Sequence, residues 1–210
     1  MPKAKNAEEY IARQRVAIAG NPECGTSRYN LAVALLGLQK YGEAEKELRA
    51  AIHCSPNLAE AYVQLGGLCF ERGDLDGCMA YNQQAIKARA GFSEGYGNIG
   101  FVHLQQGEID EAIRALQKAI AWNPNFLQAF ATLANAYLMK GLIDESIEAN
   151  LKALSLEPAF AIAHNNLAIG YLEKGEHGLA VKHFDKAVEL GYEVAPEMLK
   201  EVEPHRKDAG

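Results

Sequence analysis

Apolar residues recur along the chain at the three- and four-residue spacing of amphipathic helices. Between Leu127 and Lys140, the apolar positions that keep this spacing are Phe130, Leu133, Ala134, Tyr137 and Leu138. This segment therefore predicts a helix with one apolar face. Gly141 follows it and can take the left-handed conformation that closes a helix. Asp144 then opens a second segment, which stops before Pro158 because proline cannot continue a helix.

The same pattern repeats every 34 residues. One register holds alanine without exception, at Ala17, Ala51, Ala85, Ala119, Ala153 and Ala187. A second holds leucine or isoleucine before a small residue, at Leu31, Leu65, Ile99, Leu133 and Leu167. Glycine recurs at Gly73, Gly107, Gly141 and Gly175, and proline at Pro22, Pro56, Pro124 and Pro158. Self-similarity at this period is typical of a solenoid, in which each helix pair buries its apolar face by stacking on the next.

The repeat "LQAFATLANAYLMKGLIDESIEANLKALSLEPAF" resembles the tetratricopeptide repeat (TPR) family in its aromatic residue, Leu-Ala, Tyr, central small residue, Ala and terminal Pro. The resemblance implies an all-α, right-handed α-solenoid of stacked antiparallel helix pairs. Five repeats match the family pattern, at residues 25–58, 59–92, 93–126, 127–160 and 161–192. Residues 1–24 then form an N-terminal capping helix, which is a half repeat. Residues 193–210 form a C-terminal capping helix and a mobile tail.

Charge and hydropathy exclude two classes of partner. The net charge is −6 and no block of Lys or Arg occurs, so we expect no nucleic-acid binding. No apolar run approaches the roughly 20 residues that span a bilayer, so we expect no membrane insertion. The segment "MPKAKNAEEYIARQRVAIAG" lacks the uninterrupted apolar stretch of a signal peptide, which favours a cytoplasmic location.

The polar residues form no recognisable catalytic or metal-binding motif. His103 occupies the register of Tyr137, and His164 that of Phe130, so both are predicted to replace aromatic residues in the core. No pair of His or Cys residues has zinc-site spacing, and no serine lies in a GxSxG context. We therefore expect no catalytic residue, no metal and no cofactor.

The resemblance implies that the first helices of the repeats line a concave groove. The candidate groove residues are Tyr29, Asn30, Val33, Val63, Gln64, Gly67, Phe70, Gly97, Asn98, Phe101, Leu104, Thr132, Asn135, Leu138, Asn165, Asn166 and Ile169. None is charged, and their apolar side chains alternate with amides. Such a groove suits a peptide or helix, because amides hold its backbone and the apolar positions hold its side chains. Gly67 and Gly97 are predicted to leave room for a bulky ligand side chain.

The sequence leaves alternatives open. Asn30, Asn98 and Asn166 either contact a ligand or only support the fold. The favoured function is a non-catalytic protein–protein interaction scaffold or adaptor. One alternative is a self-assembling scaffold, a homo-oligomer in which the groove takes a terminal helix of a neighbouring copy. Another is a chaperone adaptor, which is weakened because the groove lacks the lysines and arginines that TPR clamps use for acidic chaperone tails.

Overall fold

The computed structural model describes the backbone of residues 2–208 and the side chains of residues 6–206. Every regular element in this part of the chain is helical, which confirms the predicted all-α fold class. The elements are α1 (Pro2–Gly20), α2 (Gly25–Gly37), α3 (Tyr41–Cys54), α4 (Ala59–Glu71), α5 (Leu75–Ala88), α6 (Ser93–Gln105), α7 (Ile109–Trp122), α8 (Leu127–Met139), α9 (Ile143–Leu156), α10 (Ala161–Glu173), α11 (His177–Glu189), α12 (Pro196–Val202) and the 3₁₀ helix η1 (Glu203–Asp208).

The chain forms two compact units, an N-terminal unit (Met1–Val102) and a C-terminal unit (His103–Gly210). Within the N-terminal unit, consecutive helices from α1 to α5 pack on one another. Within the C-terminal unit, the same holds from α7 to α11, and α12 and η1 pack against α11. The links within each helix pair are only a few residues long, and such short links make neighbouring helices antiparallel.

The first helix of each pair is followed by a residue in the left-handed conformation. These first helices are α2, α4, α6, α8 and α10. At the end of α8, Gly141 has φ 77°, and the N–H of Leu142 donates to the carbonyl of Tyr137 at 2.9 Å. This bond pairs a carbonyl that the helix leaves free. After α2 the same place is taken by Gln39, with φ 59°. A side chain at positive φ is strained, so glycine is the better residue there.

Small residues allow the helices of each pair to approach closely. The second helices of the pairs are α3, α5, α7, α9 and α11. The alanine of the invariant register is fully buried in each of them, at Ala51, Ala85, Ala119, Ala153 and Ala187. Larger residues fill the space around them, and Leu31, Leu35, Leu48 and Leu65 form one core cluster with Ala51 in the N-terminal unit. In the C-terminal unit, Phe184 is fully buried beside Ala187.

A polar network crosses the core of the N-terminal unit at Asn82 of α5. The Asn82 side chain is fully buried, where the other repeats place Leu48, Leu116, Asn150 and Phe184. Its Nδ2 donates to the carbonyl of Cys78 at 2.8 Å, and its Oδ1 accepts from Asn98 Nδ2 at 3.0 Å. Gly66 of α4 makes room for the amide, since a Cβ there would lie 2.6 Å from Asn82 Nδ2.

The end of the chain differs from the prediction. Residues 203–208 belong to the segment predicted to be a mobile tail, yet they form η1. Arg206 accounts for this, because its Nη1 donates to both carboxylate oxygens of Asp185 at 2.7 and 2.8 Å. The ring of His205 also stacks on His177, with the centroids 3.8 Å apart. Residues 209–210 of the predicted tail lie outside the described residues.

Two adjacent glycines of α4 provide a matched test of this packing. We expect Gly66→Ala to lower the free energy of unfolding by about 1–3 kcal/mol, because its methyl group would displace the bonded amide of Asn82. Gly67 has open space beside it, so Gly67→Ala should raise stability by about 0.5–1 kcal/mol through helix propensity. Urea unfolding followed by circular dichroism compares the two, and shifts of the same sign would contradict the packing described.

Candidate functional site

The candidate groove residues of the N-terminal unit lie on α2, α4 and α6. Two contacts between these helices bring candidate residues of neighbouring helices together. The rings of Phe70 and Phe101 meet edge to face, with centroids 5.2 Å apart. On α2, Tyr29 lies near Glu60 and Gln64 of α4, and burial is the main cause that raises the pKa of its hydroxyl. The Glu60 carboxylate raises that pKa further, and the Gln64 amide lowers it.

The N-terminal unit exposes apolar side chains on two of its first helices. Phe101 of α6 is 38% exposed, and Val33 of α2 is 42% exposed. Gly67 has no heavy atom within 4 Å of the place where a Cβ would stand, so a bulky side chain could rest there. Gly97, the other glycine expected to leave such room, is buried. Val63 is half-buried and packs beside Ala59, Ala85 and Phe92.

The polar residues of the N-terminal unit differ in how far the fold uses them. Asn98 is half-buried, and its amide donates to Asn82, so this side chain supports the core. Asn30 is also half-buried, but its side chain forms no hydrogen bond within the described residues of its unit. Of these two asparagines, Asn30 therefore has the amide that is free for a ligand.

In the C-terminal unit the candidate residues lie on α8, α10 and the last turns of α6. Asn135 is exposed and Asn165 half-buried, and within the described part of this unit neither side chain forms a hydrogen bond. Asn166 Nδ2 lies 3.5 Å from the carbonyl of Ala131 on α8, which is a long contact. The amides of Asn135 and Asn165 are therefore free to contact a ligand.

Other candidates in the C-terminal unit are largely occupied by the fold. Leu104 is buried, so it offers little surface to a partner. Thr132 donates from its hydroxyl to the carbonyl of Gln128 at 2.8 Å within its own helix. Leu138 and Ile169 are half-buried, and Ile169 packs on the core around Phe184. Asn135 and Asn165 are thus the most accessible polar members of the set.

The sequence prediction missed residues of α1. Asn6, Ala7 and Tyr10 line a cavity together with Tyr29, Asn30, Val33 and Ala34 of α2. The sequence predicts α1 only as a capping helix. A signal was present in the sequence, because Tyr10 falls on a register that is small in all five repeats, at Ala44, Cys78, Ala112, Ser146 and Ala180.

His164 and His183 form a pair in the C-terminal unit. His164 is buried, and its Nε2 lies 3.1 Å from the carbonyl of Pro158, so this nitrogen must donate. Its Nδ1 lies 2.9 Å from Nδ1 of His183, which then donates in the neutral pair. Burial, with a smaller effect of His164, lowers the pKa of His183 to about 4. The pair occupies the place of Phe130 and Ala149 one repeat earlier.

Among the described residues, no group of three or more His, Cys, Asp or Glu side chains is arranged to hold a metal ion. None of the described helices has both the length and the apolar character that crossing a membrane requires.

Comparison with protein families gives two matches. A model described as "TPR repeat" matches residues 100–141, and one described as "Tetratricopeptide repeat" matches residues 4–59. This chain is a tetratricopeptide repeat protein. A comparison with curated proteins gave no significant match. The TPR fold is consistent with a protein–protein interaction scaffold.

Solved structures show the same TPR fold. MamA is 26% identical, with 87% of this chain and 97% of that chain covered and a TM-score of 0.65. YrrB, described as a TPR protein with an unusual peptide-binding site, is 20% identical, with coverage of 93% and 97% and a TM-score of 0.65. PilF of Pseudomonas aeruginosa is 19% identical, with coverage of 90% and 89% and a TM-score of 0.77.

The different roles of two groove asparagines can be tested by stability. Asn98→Ala should lower the free energy of unfolding by about 1–3 kcal/mol, because it leaves the buried Oδ1 of Asn82 without its donor. Asn135→Ala should change it by less than about 0.5 kcal/mol, since this side chain is exposed. Thermal melting of both variants measures the difference. If Asn98→Ala melted with the wild type, its amide would not support the core.

The histidine pair predicts a dependence of stability on pH. An unfolded histidine titrates near pH 6.5, whereas folded His183 titrates near 4. The unfolded chain therefore binds the proton first, and the contribution of His183 is lost as the pH falls from about 6.5 to about 4. The double variant His164→Phe/His183→Ala copies the preceding repeat and should show a shallower loss over this range. Urea midpoints against pH measure the slope, with the exposed His53→Ala as control, and equal slopes would contradict the assignment.

Proposed function

We propose that this TPR chain is a non-catalytic scaffold that binds a peptide or a helix of a partner protein along the exposed faces of its first helices. The observation that carries the proposal is the exposure of Phe101 beside Phe70. Full burial of an exposed Phe side chain is worth about 1.5–3 kcal/mol, and since Phe101 is 38% exposed, a partner that covers the rest gains roughly a third of this.

The N-terminal unit supports binding of an apolar side chain. The open space beside Gly67 lies one turn before Phe70 on α4, and Phe101 forms the adjoining surface. An aromatic or leucine side chain placed there would contact Phe101 on one side and the helix backbone at Gly67 on the other. Buried aromatic and aliphatic contacts of this kind carry most of the binding energy of protein interfaces.

The C-terminal unit supports binding of a peptide backbone. Asn135 and Asn165 lie on neighbouring first helices, and each amide has both a donor and an acceptor. A peptide needs both, because every residue other than proline offers one N–H and one carbonyl. The likeness to YrrB supports the fold, and the peptide ligand proposed here is argued from these side chains.

The charge of the groove restricts the partner. The candidate residues on α2, α4, α6, α8 and α10 include no Lys, Arg, Asp or Glu. A partner segment with many charged side chains would lose water there without gaining an opposite charge. We therefore infer a neutral, partly apolar segment, and this disfavours the acidic tails that a chaperone adaptor would bind.

Capture of partners tests the proposal. Wild-type chain and the variants Phe101→Ala and Asn135→Ala serve as bait in an extract of the native host, followed by mass spectrometry. We expect partners of the wild type to be lost or strongly reduced on both variants, because each variant removes a direct contact. Val188→Ala is the matched control, since Val188 is an exposed apolar residue on the second helix α11.

The two variants also show which unit binds the ligand. Loss on Phe101→Ala alone would place the ligand on the N-terminal unit, and loss on Asn135→Ala alone on the C-terminal unit. Circular dichroism should show unchanged helix content at the temperature of the capture for every bait, although Phe101→Ala is expected to melt somewhat lower because it loses its contact with Phe70. Retention of all partners on both variants would contradict the groove assignment.

A further inference from the structure

A cavity of about 520 Å³ lies between α1 and α2 in the N-terminal unit. Tyr10 of α1 and Tyr29 of α2 supply its aromatic surface, and Asn6 and Asn30 supply its amides. Tyr29, Asn30 and Val33 are also candidate groove residues, so the cavity continues the proposed groove. Its volume lies within the range of about 300–1,000 Å³ that is usual for ligand pockets.

The sequence of α1 departs from the repeat at this cavity. At the start of every full second helix, a large residue comes first and a small one follows three positions later. The pairs are Tyr41 and Ala44, Leu75 and Cys78, Ile109 and Ala112, Ile143 and Ser146, and His177 and Ala180. In α1 the order is reversed, with Ala7 first and Tyr10 second. The small residues are all buried, whereas Tyr10 is 40% exposed.

This reversal argues against a helix as the occupant. The small residue of each full second helix lies at a close contact between helices, and Ala44 is fully buried in the same cluster as Leu31 and Leu35 of α2. A tyrosine at that register would collide with a helix that approached α1 in the same way. A thinner, extended segment could instead lie across the tyrosine ring.

The lining of the cavity is neutral and rich in donors. None of the described side chains that line it is charged, although 23% of the chain is. Burial, reinforced by the Glu60 carboxylate, raises the pKa of Tyr29, so its hydroxyl stays protonated beside Glu60 and Gln64 of α4 and its ring faces the cavity as an apolar surface. The amides of Asn6 and Asn30 and the hydroxyl of Tyr10 supply the donors. A segment that offers carbonyls, rings and no charge matches this lining.

We propose that this cavity binds a proline-rich segment of the partner in the polyproline II conformation. Such a segment is extended, and its proline residues have free carbonyls but no N–H groups that need acceptors. Aromatic-lined grooves bind this conformation because the rings pack on proline and little chain entropy is lost. The neutral lining suits a neutral segment, since no charge loses its water on binding. The inference rests on the proposed function, because the cavity is the first part of the proposed groove.

Binding of a synthetic peptide tests the inference. Acetylated decaproline amide is titrated into the ¹⁵N-labelled chain of 210 residues and followed by NMR. We expect shifts concentrated on α1 and α2, and about tenfold weaker binding to Tyr10→Ala, which removes one aromatic surface. Asn30→Ala, which removes one donor, provides a second variant. An alternating Gly-Ser peptide of ten residues is the matched control and should not bind, because it lacks the rings and the preformed conformation.

Further controls separate this inference from the proposed function. Val16→Ala changes an exposed residue of α1 outside the cavity and should bind decaproline as the wild type does. Phe101→Ala should also leave decaproline binding unchanged while it weakens partner capture. No binding of decaproline, equal binding of the Gly-Ser peptide, or full binding by Tyr10→Ala would overturn the inference. A concentration-dependent mass in light scattering that Tyr10→Ala abolishes would also overturn it, because it would assign the cavity to a second copy.

Discussion

The close approach of two helices over a small residue is the contact on which each repeat depends. Ala51, Ala85, Ala119, Ala153 and Ala187 are fully buried because a neighbouring helix lies directly against them. A larger side chain at these places would separate the helices and open the core on both sides. This constraint uses one face of each first helix for packing. The other face needs only to be compatible with a helix, so it is free to vary and to bind a partner.

The sequence predicts which residues pack in the core, because the packed residues recur at the same register of each repeat. The 34-residue registers of Leu31 and Ala51 predicted the all-α fold, and both residues lie in the core. The closing glycines were predicted in the same way, and Gly141 has the expected positive φ. Such positions can be predicted because each repeat imposes the same steric requirement on its own residue.

Features that occur once could not be predicted in this way. Gln39 takes a left-handed conformation without the glycine that marks it elsewhere. The docking of η1 rests on the ion pair between Arg206 and Asp185 and on the stacking of His205 on His177, and contacts that occur once leave no periodic trace. Tyr10 can be recognised in the sequence only as an exception, because every full second helix has a small residue at the same register.

Two equivalent pairs of asparagines differ in their contacts, and the residue at the register of Gly66 differs with them. Asn82 and Asn98 recur two repeats later as Asn150 and Asn166, with the same spacing along the chain. In the first pair the amides meet, because Gly66 leaves room for Asn82. In the second pair the residue at the glycine register is Ala134.

The second pair does not form this contact. Asn150 still donates to the carbonyl four residues before it, at Ser146, but its Oδ1 has no hydrogen-bond partner among the described residues. Asn166 turns instead toward Ala131, at the long distance of 3.5 Å. Asn98 would have to break a bond with a buried side chain in order to contact a ligand, whereas Asn166 would give up only a weak one. The register predicts that the two asparagines are equivalent, but their neighbours make Asn166 the better candidate for binding a peptide.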